Sequence, residues 1–269
     1  MTRRRSTAAR PGKQLIAFDQ QAGRYVAGTD EAGRGCLAGP LVAAAVVFDT
    51  TRLIGPDAAL LSRLDDSKKL THETRELLFT RVTSLASSWS VRIMSASFID
   101  THGIQPANIR ALHGSLAGLD GPIDIAFCDG FDLEASRRHL NGNESLRCDV
   151  HQLIKGDRTS AAVAAAAIIA KVTRDRLMAD LDDHTDGRWA FADHHGYATP
   201  LHHERIQLHG ISEHHRTCFA SSAYHGAREV RALCDASERI AHMLDSRDVA
   251  VALASHNHDV KTIAPCTSV

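Results

Sequence analysis

The sequence predicts an α/β fold in which a central mixed β-sheet is flanked by helices. Three observations indicate this class. Short runs of small and β-branched apolar residues alternate with helical segments, several of these runs end in an acidic residue, and one long alanine-rich segment is typical of a helix packed on a sheet. With 269 residues, of which 43% are hydrophobic and 23% charged, the chain can bury one core of ordinary domain size.

The first two predicted strands are "RYVAGTD", which ends at Asp30, and "LVAAAVVF", residues 41–48. The link between them contains glycines and a proline, which predicts a long turn. Thr71 then caps a predicted helix, and a strand "SVRIMSAS" follows. The adjacent carboxylates Asp30 and Glu31 therefore stand at the end of the first strand, and they can serve one site only if the chain leaves strand geometry there.

The second half of the chain repeats the pattern of strands followed by acids. After an ambiguous helical segment "NIRALHGSLAGL", the strand "IDIAFCD" ends in Asp129, and a shorter strand "CDVHQLI" leads to Asp157. Residues 160–181 are dominated by alanine and predict a long helix. A short helix follows, capped by Thr199 and ended by Gly210.

The chain divides into three predicted parts. Its start, "MTRRRSTAARPGK", is basic and has no acidic residue before Asp19, which is typical of a disordered arm. Its end contains the helical pattern "GAREVRALCDASERIAHML" and then no clear pattern. We therefore expect a disordered basic arm at residues 1–22, a core domain at residues 23–227, and a helical C-terminal extension and tail at residues 228–269.

Composition argues against several classes of protein. No run approaches the roughly 20 apolar residues of a membrane span, and the start has no apolar signal-peptide core, so we expect a cytoplasmic protein with no membrane partner. The six cysteines form no Cys-x-x-Cys pair, which favours reduced thiols over disulfides or a zinc finger. They are Cys36, Cys128, Cys148, Cys218, Cys234 and Cys266.

Four acids form a candidate metal site: Asp30, Glu31, Asp129 and Asp157. Carboxylate oxygens from separate segments are the ligands with which proteins hold Mg²⁺ or Mn²⁺. Two such ions about 3.5–4 Å apart can activate water and stabilise the leaving oxygen in phosphodiester hydrolysis. Each acid taken alone is more simply a turn former or a helix cap, so the interpretation rests on the set.

Five motifs resemble the bacterial ribonuclease HII family in their order and approximate spacing. They are "GTDEAGRGCLAGPLVAAAVVF", "DDSKKL", "CDG", "KGD" and "AAAAIIAKVTRDR", and together they cover most of residues 25–224. The resemblance implies a ribonuclease H-like fold and a metal-dependent endonuclease that cuts RNA within RNA/DNA hybrids and single ribonucleotides embedded in duplex DNA. The implied cut lies 5′ of the ribonucleotide and leaves a 3′-hydroxyl and a 5′-phosphate, in ribonucleotide excision and RNA-primer removal.

The resemblance also implies roles for individual residues. By motif, the four acids of the candidate site match the catalytic ligands of Mn²⁺ or Mg²⁺. The backbone of Gly33, Arg34 and Gly35 matches the sensor of the ribose 2′-hydroxyl. Tyr197 matches the tyrosine that stacks on the sugar at the RNA-to-DNA junction. Weaker matches, to contacts with backbone phosphates, are Ser67, Lys68 and Lys171.

The chemistry of these residues agrees with the implied roles. A 2′-hydroxyl distinguishes RNA from DNA, and reading it without reading the base calls for close approach of the protein backbone. Glycines on both sides of Arg34 would allow that approach. The chain departs from the family pattern at three positions, none of them a metal ligand: Cys36 replaces the usual proline, Cys128 replaces valine, and Ala198 stands where glycine is common.

Two other motif interpretations are less favoured. His194, His195, His202 and His203 suggest a zinc site, but the segment has no His-Glu-x-x-His motif, and neighbouring histidines project from different sides of a short helix. "GRGCLAG" does not fit a dinucleotide-binding loop, because a strand and not a helix follows it.

Two acids outside the set, Asp132 and Asp175, are interpreted as a loop residue and a member of a charged helix segment. A basic face for nucleic acid is predicted from Lys68, Lys69, Lys155, Arg158, Lys171 and Arg174. We expect a monomer whose partner is an RNA/DNA hybrid or a ribonucleotide-containing DNA duplex. Two alternatives stay open: a DNA nuclease or resolvase of the same fold, and a non-catalytic hybrid-binding protein.

Overall fold

The structure is a computed structural model that describes residues 11–61, 63–64, 70–136, 139–140, 146–219 and 221–224. Its strands are β1 (Tyr25–Ala32), β2 (Leu41–Asp49), β3 (Ser88–Met94), β4 (Ile125–Asp129) and β5 (Val150–Leu153). They form one sheet in the order β3-β2-β1-β4-β5. β1 is antiparallel to β2 and parallel to β4, so the predicted mixed sheet is confirmed.

Helices cover both faces of this sheet. They are α1 (Pro11–Ala22), α2 (Gly55–Leu61), α3 (His72–Leu85), α4 (Ala96–His102), α5 (Ile104–Ala117), α6 (Ala161–His184), α7 (Phe191–His194) and α8 (Pro200–His209), with short 3₁₀ turns at Thr50–Arg52, Gly156–Arg158 and Ser222–Tyr224. None of the helices in the described ranges is long and apolar enough to cross a membrane. The ambiguous segment after β3 is thus helical, as α5.

Several boundaries follow the predicted signals. Thr71 caps α3 and Thr199 caps α8, each by accepting a hydrogen bond from a backbone amide in the first turn. Residues 95–97 were expected to extend the third strand, but they lie at the start of α4, because the Ser95 hydroxyl accepts a hydrogen bond from Phe98 N at 3.1 Å and caps that helix. The predicted C-terminal helical extension lies outside the described residues.

Residues 11–22 form α1, so the prediction that they belong to a disordered arm is wrong for this segment. Leu15 and Ile16 are buried, and the Phe18 ring lies 5.2 Å from the Phe127 ring of β4. Asp19 is fully buried, and its Oδ2 accepts a hydrogen bond from Ala162 N at 2.9 Å, in the first turn of α6. Apolar burial and this cap therefore hold the helix against the domain. Residues 1–10 lie outside the described ranges.

The sheet separates two buried cores. Alternate residues of β2 face α6 and α3 on one side and α5 on the other, which is the period-two pattern of a strand buried on both faces. The alanines of α6 let that helix approach the sheet closely. A Cβ at Gly28 of β1 would collide with the backbone of Val163, so the start of α6 lies directly against β1, two residues before Asp30.

Replacing Asp19 with Asn is expected to make folding less sensitive to rising pH. Burial raises the pKa of Asp19 to about 7, whereas an aspartate in an unfolded chain titrates near pH 4. The folded protein therefore holds this proton more tightly, and Asp19 makes the wild type lose stability as the pH rises between about 4 and 7. Asn stays neutral, and its carbonyl oxygen can still accept from Ala162.

Urea unfolding at about pH 5 and pH 8 measures this effect. The free energy of unfolding should fall less across the interval for Asp19→Asn than for the wild type. Equal losses for the two proteins would show that Asp19 does not carry a raised pKa in the folded state.

Candidate active site

The candidate acids lie at one edge of the sheet, where β1, β4 and β5 end. β1 and β4 are parallel, and Thr29 pairs with Cys128, so the next residues, Asp30 and Asp129, lie side by side at the same edge of the sheet. Asp157 follows β5, in the 3₁₀ turn Gly156–Arg158. The amide of Gly156 donates a hydrogen bond to Asp129 Oδ1 at 2.6 Å, which ties this turn to the end of β4.

The expected departure from strand geometry at Asp30 and Glu31 is not found. The pairing of β1 with β2 continues in register through Ala32, so the two side chains leave the strand on opposite faces. Asp30 turns back along the main chain, because its Oδ1 accepts a hydrogen bond from Glu31 N at 2.7 Å. The pair therefore straddles the end of the strand, and the condition that a shared site needs a departure from strand geometry is wrong, because the charge of Glu31 still acts on the Asp30 carboxyl.

Electrostatic interactions nevertheless join the four acids. The pKa of Asp30 lies well above its usual value, first because the side chain is buried and then because of the negative charges of Glu31, Asp129 and Asp157. Burial also raises the pKa of Glu31 to about 7, although the Arg34 guanidinium opposes this shift. Like charges are thus concentrated at one edge of the sheet, in a poorly solvated place.

This arrangement fits a divalent cation chemically. Glu31 Oε2 is buried and accepts no hydrogen bond, so it keeps a lone pair for a ligand. Carboxylate oxygens are the donors that Mg²⁺ and Mn²⁺ prefer, and a cation would offset the repulsion among the acids. Within the described residues, no three His, Cys, Asp or Glu side chains are yet gathered tightly enough to hold a metal ion. Metal binding by the four acids stays a prediction.

The loop after the acids is held in one conformation by buried groups. Gly33 has a φ of +88°, and a Cβ there would clash with the Arg174 side chain. A Cβ at Gly35 would meet no atom within 4 Å, so the protein leaves open space beside that residue. Arg34 is half-exposed, with Nη1 3.6 Å from Glu31 Oε1 and its guanidinium 5.0 Å from the centre of the Phe131 ring.

Two fully buried arginines clamp this loop, and neither role was predicted. Arg174 donates hydrogen bonds to the carbonyls of Ala38 and Pro40, and Arg216 donates to those of Arg34 and Gly39. Within the described residues neither arginine forms an ion pair. Arg174 therefore does not belong to the exposed basic face in which the sequence placed it.

Tyr197 lies beside the clamped loop. It is 39% exposed, and the Lys171 amine lies 5.5 Å from the centre of its ring. The preceding residue is joined to the loop, because Leu37 N donates a hydrogen bond to the carbonyl of Gly196 at 2.9 Å. Lys171 is also ion-paired with Asp175, so Asp175 has the charged-helix role that was predicted for it. The structure thus brings Tyr197 and Lys171 to the 33–35 loop.

Other predicted residues have different outcomes. Ser67, Lys68 and Lys69 lie outside the described residues, while Lys155 and Arg158 are exposed as a basic face requires. Asp132 accepts a hydrogen bond from Ala135 N at 2.9 Å, which confirms a loop role.

The four candidate zinc histidines do not form one site. His194 and His202 are buried and stack at 4.1 Å, whereas His195 points to Asp175, with 4.0 Å between Nδ1 and Oδ1.

Comparison with known proteins identifies the family. The family model described as ribonuclease HII matches residues 27–222. The ribonuclease HII of Mesorhizobium japonicum is 44% identical over 196 residues, which are 72% of this chain and 78% of that protein. The ribonuclease HII of Rhodococcus erythropolis is 42% identical over 203 residues, or 76% of this chain and 83% of that protein.

Solved structures confirm the ribonuclease H-like fold. Ribonuclease H2 from Pyrococcus horikoshii matches 80% of this chain and 98% of its own, with a TM-score of 0.59 and 24% identity. The ribonuclease HII of Archaeoglobus fulgidus, solved in a complex with PCNA, matches 78% of this chain and 99% of its own, with a TM-score of 0.58 and 27% identity. Bst-RNase HIII, solved with Mn²⁺, matches 82% of this chain and 73% of its own, with a TM-score of 0.58 and 22% identity.

Substitution by alanine should destabilise the protein at Gly33, where the backbone is packed against Arg174, and should have little effect at Gly35, which is exposed. Gly33→Ala is expected to destabilise the protein by at least about 1–3 kcal/mol from the positive φ alone, and more from the clash with Arg174. Gly35→Ala is expected to stay within about 0.5 kcal/mol of the wild type, because its Cβ enters open space. Urea unfolding compares the two. Similar losses in both variants would contradict the clamped conformation of the loop.

Proposed function

The chain belongs to the ribonuclease HII family, and from this premise we propose that it is an endonuclease that cuts the RNA strand of RNA/DNA hybrids. The finer proposal is that it also cuts 5′ of single ribonucleotides embedded in duplex DNA and leaves a 3′-hydroxyl and a 5′-phosphate. Its roles would be ribonucleotide excision and removal of RNA primers. Cytoplasmic location and a monomeric state stay predictions.

One observation carries the proposal: parallel pairing sets Asp30 beside Asp129, and the Gly156 amide ties the turn that holds Asp157 to Asp129. The negative charges of Glu31, Asp129 and Asp157 accordingly raise the pKa of the buried Asp30 carboxyl. A cluster of like charges in a poorly solvated place is costly for folding. Such a cluster is found where function requires it, as in sites that bind cations and phosphate groups. The motif resemblance implies these four residues as metal ligands, and the charge interactions around Asp30 support that assignment.

Divalent cations, Mn²⁺ or Mg²⁺, would supply an activated water and stabilise the leaving oxygen in a two-metal site. The chain's own part is to present oxygen ligands at the phosphate to be cut. A hydrogen bond from the amide of Gly156 fixes the orientation of the Asp129 carboxylate, and one from the amide of Glu31 fixes that of Asp30. The mutual repulsion of the acids makes the site receptive to cations and repels a phosphate until cations are bound.

Recognition of the ribose is proposed for the loop that follows the acids. Reading a 2′-hydroxyl without reading the base needs a backbone that a sugar can approach closely. Gly35 lies in open space, and the loop is rigid because buried arginines hold its carbonyls. Tyr197 would stack on the sugar at the junction, with Lys171 beside it for a backbone phosphate. Recognition and cutting are coupled because the loop directly follows Asp30 and Glu31 in the chain.

Replacing Asp129 with Asn tests the site assignment. The Asn oxygen can still accept from Gly156 N, so the fold should persist, but one anionic ligand is lost. Cleavage of an end-labelled duplex that contains one ribonucleotide should fall by about 100-fold or more with either Mn²⁺ or Mg²⁺, because even groups that only orient metal ligands are worth 10–100-fold. Binding of the duplex in EDTA should be retained. Asp132→Asn, in an exposed loop, is the matched control and should cut like the wild type.

A comparison of this duplex with an all-DNA duplex of the same sequence distinguishes the alternatives. A DNA nuclease or resolvase would cut an all-DNA duplex equally well. A non-catalytic hybrid-binding protein would bind the duplex in EDTA and show no cutting when metal is restored. Wild-type turnover by Asp129→Asn would refute the assignment of the four acids.

A further inference from the structure

A buried chain of hydrogen-bonded histidines leads to Tyr197. His202 and His215 are 0% and 1% exposed, although imidazoles are more often partly solvated. His202 Nδ1 lies 2.9 Å from the carbonyl oxygen of Tyr197, and His202 Nε2 lies 3.1 Å from His215 Nε2. His215 Nδ1 in turn lies 2.8 Å from the backbone nitrogen of Ser212. We call His215 and His202 the histidine relay.

The backbone groups at its two ends fix the protons of the relay. The amide of Ser212 can only donate, so His215 Nδ1 accepts and its proton is on Nε2. The N–H at His215 Nε2 donates a hydrogen bond to His202 Nε2, which must therefore be unprotonated. The proton of His202 is then on Nδ1. The Tyr197 carbonyl can only accept, so the N–H at His202 Nδ1 donates a hydrogen bond to it. One tautomer of each ring satisfies the whole chain.

Both rings are neutral in this arrangement. A second proton on His202 would put two N–H groups against each other at Nε2, and a second proton on His215 would oppose the Ser212 N–H at Nδ1. The Ser212 hydroxyl also lies 2.8 Å from His215 Nδ1, and because it accepts from His214 N it can donate to the unprotonated ring. Burial lowers the pKa of His202 to about 4 and that of His215 to about 3, which agrees with neutral rings near pH 7. His194, stacked 4.1 Å from His202, is also buried, and burial lowers its pKa. The relay is therefore a fixed polar connection and not a cation site.

The segment that begins the relay also holds the 33–35 loop. Arg216, next to His215, donates from Nη1 to the carbonyl of Arg34 at 3.0 Å. Because a peptide unit is planar, fixing this carbonyl also fixes the direction of the Gly35 N–H. On the Tyr197 side, the carbonyl of Gly196 accepts from Leu37 N at 2.9 Å. Tyr197 and the loop are thus held by one connected set of buried groups.

We propose that His202 and His215 are positioning residues that hold Tyr197 in register with the Gly33–Gly35 loop, so that both contact the same ribose. This inference rests on the proposed function, since it assumes that Tyr197 and the loop recognise a ribonucleotide. A merely structural role would require only that the rings fill space. The positioning role requires a donor at one atom of each ring.

Amide side chains test this requirement atom by atom. The Asn amide nitrogen can take the place of His Nδ1, and the Gln amide nitrogen can take the place of His Nε2. At position 202 the donor to Tyr197 is Nδ1, so His202→Asn should cut a single-ribonucleotide duplex nearly as well as the wild type. His202→Gln should lose about 10–100-fold in kcat/KM, the cost of a misplaced recognition group.

At position 215 the order should reverse. The donor toward His202 is Nε2, so His215→Gln should retain activity and His215→Asn should lose it by a similar factor. This opposite rescue at two neighbouring buried positions is not expected from side-chain volume, because Asn is the smaller residue at both. It also gives an independent test where substitution at position 202 reduces the yield of folded protein.

A double-mutant cycle shows whether the relay acts through Tyr197. In a Tyr197→Ala background, His202→Gln should cause no further loss, because the ring that it positions is gone. Full additivity of the two losses would overturn the inference. So would a His202→Asn variant that cuts no better than His202→Gln, once thermal denaturation shows that both proteins are folded. If the wild type cuts no ribonucleotide-containing duplex, the proposed function itself fails. If the wild type cuts and both His202→Gln and His215→Asn cut equally well, the inference alone is overturned.

Discussion

Repulsion among carboxylates at the ends of β1 and β4 is the constraint on which the rest of the structure depends. Parallel pairing sets Asp30 beside Asp129, and the turn after β5 adds Asp157. Burial of Asp30 removes the water that would otherwise screen these charges. A fold that accepts this cost must hold the acids in place with groups buried behind them.

The support comes from neutral and cationic groups buried behind the site. Gly28 lets the start of α6 lie against β1, which brings the alanine-rich face of the helix under the acids. From the same helix Arg174 donates to the carbonyls of the loop that follows them, and Arg216 does so from the C-terminal side. Their charges are satisfied by backbone oxygens, so the loop is rigid while Arg34 and Gly35 remain exposed. The 33–35 loop and the acids are thus both supported by groups that are buried behind them.

Sequence predicted the parts of this arrangement that depend on local pattern. Acids at strand ends, the helix caps at Thr71 and Thr199, and the alanine-rich α6 all follow from neighbouring residues. The clamp by Arg216 could not be predicted, because it joins carbonyls up to 182 residues away and an arginine carries no local sign of burial. Helix α1 was missed because its basic beginning resembles a disordered arm, although Leu15, Ile16 and Phe18 gave an apolar signal. The tautomers of the histidine relay could not be predicted either, because they are set by hydrogen bonds between residues that the fold brings together.

Thermal unfolding of the wild type and of Asp30→Asn, with and without Mn²⁺, tests the central claim most directly. In chelator at about pH 8, Asp30→Asn should melt higher than the wild type, by about 2–4 °C for each kcal/mol of repulsion removed. Mn²⁺ should raise the melting temperature of the wild type and change that of the variant much less. A variant that melts lower than the wild type in chelator, or equal stabilisation of both proteins by Mn²⁺, would contradict the claim that repulsion among these acids awaits a cation.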